Sequence, residues 1–440
     1  MSRILPFAGL RYSAAVAPDL SRVVCPPYDV IAPVEAARLR ARAPYNAVHI
    51  ELPSDGPGEP GSRYRLAAER LHSWLAEGVL RPDDAPTFTL HETRFAFSGQ
   101  ALRRRDLIVA IPTEPWASGT VLPHEQTFSG PKADRLALLR ATRANVSPIW
   151  LLHREPVAAL DRAWAAADGA VPTAEFQLPN GELHRVWVVQ APPVVAGLTH
   201  GFASGVGRLY VADGHHRYET ALAYRAEAGA EYPGAAATLA VLTGADDPGL
   251  RALPTHRLLR HLPASLTLAE VTERLTPLFH VEPLPLANGT GGAAVEALIA
   301  RLAVAARTAP TFGLFGLDDT GAFTFTTLTR RQQPPDAALP RDRSDAWRSL
   351  DVAVLHALVV DPLVAAAGRP AEEVIGYTRD AHQALAEVRS GRARLALLLN
   401  PTPVQQVLAV ADAGDRMPEK STYFYPKPPT GLVVRSLAEP

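Results

Sequence analysis

Two adjacent histidines, an aspartate and an arginine surround one glycine in the stretch Asp213–Arg217, which reads D-G-H-H-R. The run Leu209–Ala212 before it is short, apolar and rich in strand-forming residues, and no Gly or Pro occurs between His215 and Arg225. We therefore predict a buried strand, a tight turn at Gly214 and a helix that begins at His215. The polar side chains would then lie where the strand turns into the helix.

A junction of this kind is suited to binding an anion. The start of a helix has unpaired backbone N–H groups and the positive end of the helix dipole, and Gly214 allows a ligand to approach the backbone. His215, His216 and Arg217 add donors, and a guanidinium group matches phosphate oxygens. We expect these four residues to bind phosphate. Asp213 could cap the helix or hold Mg²⁺ for a polyphosphate; a simple capped helix with surface histidines is the alternative.

A second group of candidates lies in Leu122–Arg135, which reads LPHEQTFSGPKADR. Phosphoryl transfer needs a carboxylate that accepts the hydroxyl proton and cations that stabilise the developing charge. Glu125 is a candidate base, whereas His124, Lys132 and Arg135 are candidate ligands of the nucleotide. An ordinary loop with a proline at the first helical position is the alternative.

Two further segments could contribute to the same chemistry. The pattern of Asn46–Leu52, NAVHIEL, predicts a strand whose Glu51 could point into a cleft, where burial would raise its pKa. Glu51 is therefore another candidate base, with an exposed carboxylate as the alternative. Tyr28 and Asp29 follow a Pro-Pro pair and could line a pocket. The segment Glu419–Gly431, EKSTYFYPKPPTG, could close over a substrate or form a terminal strand packed by its aromatic residues.

The histidines also allow a transition-metal alternative. The ligands of such a site would come from His49, His124, His215 and His216, together with Asp213 or Glu125. No H-E-x-x-H spacing occurs and no third ligand is defined, so a metal-dependent hydrolase is kept as an alternative only. The single cysteine, Cys25, excludes an intrachain disulfide and a Cys-based zinc cluster.

Composition indicates a globular protein of more than one domain. The 440 residues are 47% hydrophobic and 20% charged, and the net charge of −1 gives no general attraction to nucleic acid or to an anionic membrane. The sequence shows no secretory signal and no membrane span, so we expect a cytoplasmic protein. Alternating strand and helix patterns predict an α/β fold with mixed α+β sheets. We place one domain at 1–264, carrying the D-G-H-H-R stretch, and a second α/β domain at 265–440, carrying the terminal KSTYFYPKPPTG loop.

The D-G-H-H-R stretch resembles the D-G-H-x-R box of the ParB/sulfiredoxin fold, in which a strand, loop and helix hold nucleotide phosphates. Sulfiredoxins carry a catalytic cysteine within this box, and Cys25 is far from it in sequence. ParB proteins need a DNA-reading helix-turn-helix, which the sequence does not identify. The box of the ADP-dependent free serine kinases is the most similar. This resemblance implies a ParB/sulfiredoxin-like nucleotide-binding core, ATP or ADP with Mg²⁺ as cofactors, and free serine as a candidate acceptor.

A wider resemblance extends along most of the chain. Six segments, in order, resemble the domain-of-unknown-function family 1015: CPPYDVI, NAVHIEL, VLPHEQTFSGPKADRLALLRATRANVSPIW, VADGHHRYETA, PTHRLL and RMPEKSTYFYPKPPTGLV. This family implies no activity.

Together these patterns predict a nucleotide-dependent phosphotransferase that acts on a small hydroxylated metabolite. Its catalytic residues would be Asp213, Glu125 and Glu51, and Arg217 would neutralise phosphate charge. Its partners would be a small-molecule substrate and a nucleotide, without nucleic acid or membrane, and a homodimer is left open. The alternatives are a nucleotide-binding regulator without turnover and the metal-dependent hydrolase.

Overall fold

The computed structural model describes residues 3–127, 129–284, 292–317, 325–331 and 339–438. The chain forms two compact units, one of Met1–Leu250 with Pro426–Pro440 and the other of Arg251–Tyr425. The sequence places a single boundary at residue 265. In the structure the first unit ends earlier, and the last residues of the chain return to it because Thr430 and Val434 form backbone bridges with Cys25 and Leu10.

Helices in the described residues include short 3₁₀ turns and one π-helical turn. The 3₁₀ turns are Leu20–Arg22, Tyr28–Val30, Trp116–Ser118 and Pro233–Ala236, and the π turn is His356–Val360. The helices are α1 (Pro33–Arg42), α2 (Val48–Glu51), α3 (Arg63–Ala76), α4 (Ser129–Thr142), α5 (Ala158–Asp168), α6 (Pro192–Gly205), α7 (His215–Ala228), α8 (Leu268–Leu275), α9 (Gly292–Ala305), α10 (Asp345–Arg348), α11 (Asp351–Leu355), α12 (Asp361–Ala367), α13 (Ala371–Val374), α14 (Ala381–Arg389) and α15 (Val404–Asp412).

Strands alternate with these helices in both units. They are β1 (Leu10–Tyr12), β2 (Leu80–Pro82), β3 (Phe88–Phe97), β4 (Gln100–Pro112), β5 (Val121–Leu122), β6 (Ala144–Asn145), β7 (Ile149–His153), β8 (Ala174–Gln177), β9 (Leu183–Val189), β10 (Leu209–Asp213), β11 (Ala237–Gly244), β12 (Arg251–Ala252), β13 (His256–Leu259), β14 (Phe279–Leu284), β15 (Thr311–Gly316), β16 (Phe325–Arg330), β17 (Ile375–Thr378), β18 (Leu395–Leu398), β19 (Phe424–Tyr425) and β20 (Arg435–Ser436).

The first unit is built on an eight-stranded mixed sheet. Its strand order is β5-β10-β7-β11-β4-β3-β9-β8. The pairs β10–β5 and β11–β7 are parallel, and the other neighbours are antiparallel. The second unit contains a six-stranded antiparallel sheet in the order β14-β16-β15-β18-β13-β17. The predicted α/β class with mixed α+β sheets is confirmed. No helix in the described ranges is long and apolar enough to cross a bilayer.

The core of the first unit holds the central strands against α5 and α6. Strand residues alternate across a sheet, so residues two apart share a face, and α5 and α6 each present an apolar stripe to one such face. Fully buried members of this core include Leu107, Leu151, Leu198, Phe202 and Tyr218. Tyr218 belongs to α7, so the same core fixes the helix that follows the D-G-H-H-R stretch.

The predicted strand at Asn46–Leu52 is wrong, because most of this segment forms the short helix α2. The backbone N–H of Glu51 donates to the carbonyl of Ala47 over 2.8 Å. The side-chain oxygen of Asn46 accepts from the N–H of Val48 over 3.0 Å, a local bond that favours a turn over a strand. Alternating apolar residues over so few positions do not separate one helical turn from a strand. Glu51 therefore lies at the end of a helix.

A buried ion pair lies within the large sheet. The guanidinium of Arg104 donates to both oxygens of Asp106 over 2.9 Å and stacks on the Trp150 ring at 4.4 Å. The hydroxyl of Thr243 also donates to Asp106 over 2.6 Å. Burial alone would raise the pKa of Asp106, but Arg104 and His91 outweigh it and lower this pKa to about 2.

Replacing Asp106 tests how much this pair contributes. We expect Asp106→Asn to lower the free energy of unfolding by about 3–5 kcal/mol, because it leaves the Arg104 charge buried without a counter-ion. Urea denaturation at pH 7 measures this change. The control is Asp168→Asn, which removes the partly exposed partner of Arg105 and should cost less than about 1 kcal/mol.

The same pair has a defined pH dependence. The pKa of Asp106 in the folded protein lies below the ordinary value of 3.8. Ionised Asp106 therefore stabilises the fold above pH 3.8, and this contribution is lost as the pH falls towards 2. The stability difference between wild type and Asp106→Asn should shrink over that range. A difference that stays constant there would contradict the assignment.

Candidate functional site

The candidate site is centred on the junction between β10 and α7. The strand ends at Asp213, Gly214 has a φ of 95°, and the helix begins at His215, as predicted. A Cβ on Gly214 would lie 3.1 Å from a methyl carbon of Ile149 and 3.2 Å from the guanidinium carbon of Arg217. Glycine is therefore required both for the backbone conformation and for the close packing. The N-cap residue, Gly214, has no side chain that could accept a hydrogen bond from the first turn of α7.

Asp213 does not cap the helix but joins an ion-pair chain. The ammonium of Lys427 lies 2.5 Å from one oxygen of Asp213 and 2.5 Å from an oxygen of Asp29. The guanidinium of Arg217 pairs with the other oxygen of Asp213. Burial alone would raise the pKa of Asp213, but Lys427 and Arg217 outweigh it and lower this pKa to about 2. Burial opposes the charge of Lys427 as well, yet Asp213 and Asp29 raise its pKa above the ordinary value.

Arg217 is held by groups on both sides. Its guanidinium donates to the hydroxyl of Ser147 over 3.1 Å and to the carbonyl of Pro148. The Ser147 hydroxyl is also 2.7 Å from that of Thr430, in the terminal segment. The fork of Arg217 is therefore fixed in orientation before any ligand arrives, which lowers the entropic cost of binding.

Glu51 is only 1% exposed and faces two guanidinium groups. A nitrogen of Arg135 lies 3.8 Å from its carboxylate and donates to its backbone carbonyl over 2.7 Å. The backbone N–H of Tyr28 donates to the carboxylate over 3.4 Å, and Arg135 stacks on the Tyr28 ring at 4.2 Å. Burial raises the pKa of Glu51, and Arg135 and Arg217 offset only part of that increase.

Three residues predicted from separate segments line one cavity. This cavity has a volume of about 50 Å³, and Glu51, Arg135 and Arg217 contribute to its wall together with Ser147 and Thr220. A single water needs about 10–15 Å³ measured in this way. The cavity therefore has room for a few waters or for the reactive end of a small polar molecule, but not for a nucleoside.

The histidine and glutamate of the second loop reach the same helix start. The backbone N–H of His124 donates to Nε2 of His215 over 3.2 Å, and the two rings meet edge to face at 4.6 Å. Nδ1 of His215 lies 4.0 Å from the Glu125 carboxylate. Since Nε2 accepts a bond, only Nδ1 of a neutral His215 carries a proton. His216 is partly exposed in the first turn of α7.

Lys132 lies in α4 and pairs with Glu219, a residue of α7 that the sequence analysis did not select. Its ammonium is 2.9 Å from the carboxylate of Glu219, which also accepts from the hydroxyl of Thr127 over 2.6 Å and from the indole of Trp116 over 3.2 Å. Lys132 does not line the cavity that holds Glu51. A signal for Glu219 existed, because it follows His215 by four residues and so shares its face of the helix.

Lys427 and Ser147 are the other site residues that sequence reasoning did not assign. Lys427 lies in the terminal segment suggested as a closing loop, but nothing in its own surroundings indicated a bond to Asp213. Ser147 carried no sequence signal. Asp29, suggested as a pocket residue, is exposed and pairs with Lys427.

The described residues do not supply a ready set of metal ligands. No group of three or more His, Cys, Asp or Glu side chains within the described ranges is placed to hold a metal ion. Each oxygen of Asp213 already faces a cationic side chain, Lys427 or Arg217. Mg²⁺ does not fit directly on Asp213 in this arrangement, because it would meet the positive charge of Lys427.

The sequence of the chain matches one known protein family. The family described as "Protein of unknown function (DUF1015)" matches residues 4–353. The match ends before the terminal segment that contains Lys427. No curated protein matches the chain in sequence.

Several solved structures align with much of the chain at low similarity. A mutant of free serine kinase in complex with ADP is 13% identical, and the alignment covers 72% of this chain and 87% of that one, with a TM-score of 0.35. A conserved hypothetical protein from Pyrococcus furiosus is 14% identical, with 74% and 95% covered and a TM-score of 0.36. SbnI from Staphylococcus aureus, with a C-terminal truncation, is 12% identical, with 74% and 87% covered and a TM-score of 0.35.

The turn at Gly214 provides a test of the local geometry. We expect Gly214→Ala to destabilise the protein by about 1–3 kcal/mol, because a side chain there is strained at positive φ and presses on Ile149. Urea denaturation measures this cost. The control is Gly197→Ala within α6, where a Cβ meets no atom within 4 Å and should leave stability equal or higher. Equal stability of both variants would contradict the account of the turn.

Proposed function

The chain belongs to the DUF1015 family, and we propose that it is a nucleotide-dependent phosphotransferase acting on a small hydroxylated metabolite. One observation carries the proposal: buried Glu51 faces Arg135 and Arg217 in a cavity of about 50 Å³ beside the start of α7. A carboxylate with a raised pKa next to fixed cations is the arrangement that proton abstraction with phosphoryl transfer requires.

The nucleotide phosphates would bind at the first turn of α7. This helix has 14 residues and its N-cap residue is Gly214, so the positive end of its dipole, at Gly214, His215 and His216, favours an anion. Arg217 follows in the same turn. The cavity is too small for a nucleoside, so base and ribose would lie outside it.

The acceptor would place its hydroxyl between Glu51 and the terminal phosphate. The hydroxyl oxygen attacks the terminal phosphorus, its proton moves to the Glu51 carboxylate, and the bond to the bridging oxygen breaks to release the shortened nucleotide. Arg135 and Arg217 stabilise the charge on the transferred group. Glu125 lies beside His215 rather than in the cavity, so Glu51 is the better-placed base of the two.

Asp213 would act by positioning rather than by contact with substrate. Its two oxygens hold Arg217 and Lys427, which keeps both cations beside the helix start. Mg²⁺ supplies charge neutralisation to polyphosphates when it is bound. It would arrive with the nucleotide, and no residue of this chain is assigned to it.

Free serine is the acceptor to test first, as the resemblance of the D-G-H-H-R stretch suggests. TM-scores near 0.35 are too low to transfer a substrate from the aligned kinases to this chain.

A regulator that binds nucleotide without turnover is the second candidate. The site cations Arg135, Arg217 and Lys427 are each already paired with a carboxylate, which weakens the net attraction for a polyphosphate. A site balanced in this way could bind a nucleotide and report it without transferring a group.

Product formation distinguishes the two candidates. We expect the purified protein with ATP or ADP, Mg²⁺ and serine to form phosphoserine, detected by mass spectrometry. Glu51→Gln should lower kcat by about 10²–10⁴-fold while nucleotide binding, measured by calorimetry, persists. Nucleotide binding without product for serine or any other small hydroxylated acceptor would support the regulator instead. Absence of nucleotide binding would refute both.

Stability and pH provide a control for the role of Glu51. The pKa of Glu51 is higher in the folded protein than its ordinary value of 4.5. Ionisation of Glu51 therefore destabilises the folded protein as the pH rises above 4.5. Glu51→Gln should therefore melt at the same temperature or higher at pH 7 although its kcat is lowered. The acid limb of kcat/KM should lie above pH 4.5 in the wild type, and the surface variant Glu227→Gln should keep full activity.

A further inference from the structure

The first unit contains a second and larger cavity that the proposed phosphotransferase site does not use. Its volume is about 510 Å³, and it lies between α5, α6 and the end of β9. None of the residues that line it belongs to the D-G-H-H-R stretch or to the Glu51 cavity. Cavities of about 300–1,000 Å³ are the usual size of small-molecule sites.

Small residues on two helices leave this volume empty. Ala159, Ala163 and Ala166 follow one another on the face of α5 that lines the cavity, Ala170 lies just beyond the end of that helix, and Gly197 faces the cavity from α6. A Cβ on Gly197 would meet no atom within 4 Å. The space is therefore open beside α6 as well as beside α5.

The strands β9 and β3 also contribute apolar residues to the lining. Trp187 lines the cavity, its indole N–H donates to the carbonyl of Ala170 over 3.2 Å, and its ring meets that of Trp164 edge to face at 5.8 Å. Leu90 lines the cavity as well and is 1% exposed. An aromatic ring fixed beside a row of alanines suits a flat or extended apolar body.

Two polar side chains among the lining residues are without partners. Arg162 and Gln190 form no side-chain hydrogen bond or ion pair with the residues that the structure describes, and Arg162 is the one charged residue in the described lining. A guanidinium beside an apolar cavity favours a ligand whose anionic group stays near solvent while its body is buried.

We propose that this cavity binds an amphipathic monoanion with an alkyl or aryl body and a carboxylate that pairs with Arg162. A small molecule is favoured over a protein partner because a stable interface buries about 800 Å² on each side, far more surface than one concave cavity of this size presents. The proposal does not depend on the phosphotransferase site.

A chain-length series of fatty acids tests the apolar part of the proposal. Calorimetric titration of the whole protein with hexanoate, octanoate and decanoate should show one saturable site whose affinity rises about fourfold for each added CH₂ until the cavity is full. Octanol and octylamine test the charge, and octanoate should bind more tightly than either. Equal binding of octylamine and octanoate would overturn the anionic assignment.

Two variants locate the binding site. Gly197→Leu should place its side chain in the cavity, where a Cβ meets no atom within 4 Å, and weaken octanoate binding by about tenfold or more. Gly205→Leu on the same helix, also in open space but outside the cavity, should bind normally. Arg162→Gln should weaken octanoate by about two- to fivefold and leave octanol unchanged. The melting temperature of each variant confirms that it is folded.

Three results would overturn the proposal. These are no saturable binding of any of the three fatty acids, unchanged binding in Gly197→Leu, or a concentration-dependent dimer that only Gly197→Leu disrupts. The last result would mean that a second copy of the chain covers this face.

Discussion

The site depends on one charge arrangement, in which the Asp213 carboxylate at the end of β10 pairs with Arg217 and Lys427. Removing these charges from water is costly, so they are compatible with burial only as a paired group. The pairing joins the strand end and the first turn of α7, which are neighbours in sequence, to the terminal segment, which is far from both along the chain. It also fixes two cations beside the start of α7, where the proposed phosphate site lies.

Two carboxylates of the same site are shifted in opposite directions. Cationic partners outweigh burial at Asp213 and lower its pKa, whereas burial outweighs Arg135 and Arg217 at Glu51 and raises its pKa. Environments that separate the pKa values of neighbouring acids are how one site assigns a charged positioning role and a proton-accepting role. This difference supports Glu51 as the base more strongly than its proximity to the helix start does.

The two cavities of the first unit lie apart and differ in the polarity of their lining. The Glu51 cavity is small and has three charged residues in its described lining, whereas the cavity between α5 and α6 is about ten times larger and lined mainly by alanine and valine, with Trp187 as the aromatic residue of its described lining. Trp187 lies in β9 and Asp213 in β10, two strands of the same eight-stranded sheet. One sheet therefore positions residues of both proposed sites.

The sequence by itself determined the features that depend on neighbours along the chain. The strand, the turn at Gly214 and helix α7 follow from local rules of apolar patterning and glycine conformation, and so does the basic first turn of that helix. Tertiary structure decided the rest. Asn46–Leu52 is too short for its pattern to separate strand from helix. The pKa of Glu51 is set by burial, which raises it, and by Arg135 and Arg217, which lower it and come from distant segments. Lys427 meets Asp213 across more than two hundred residues, because the end of the chain pairs with β6 and with the first residues of the unit. Pairing over such a distance is set by the packing of the whole unit and leaves no signal in the local pattern.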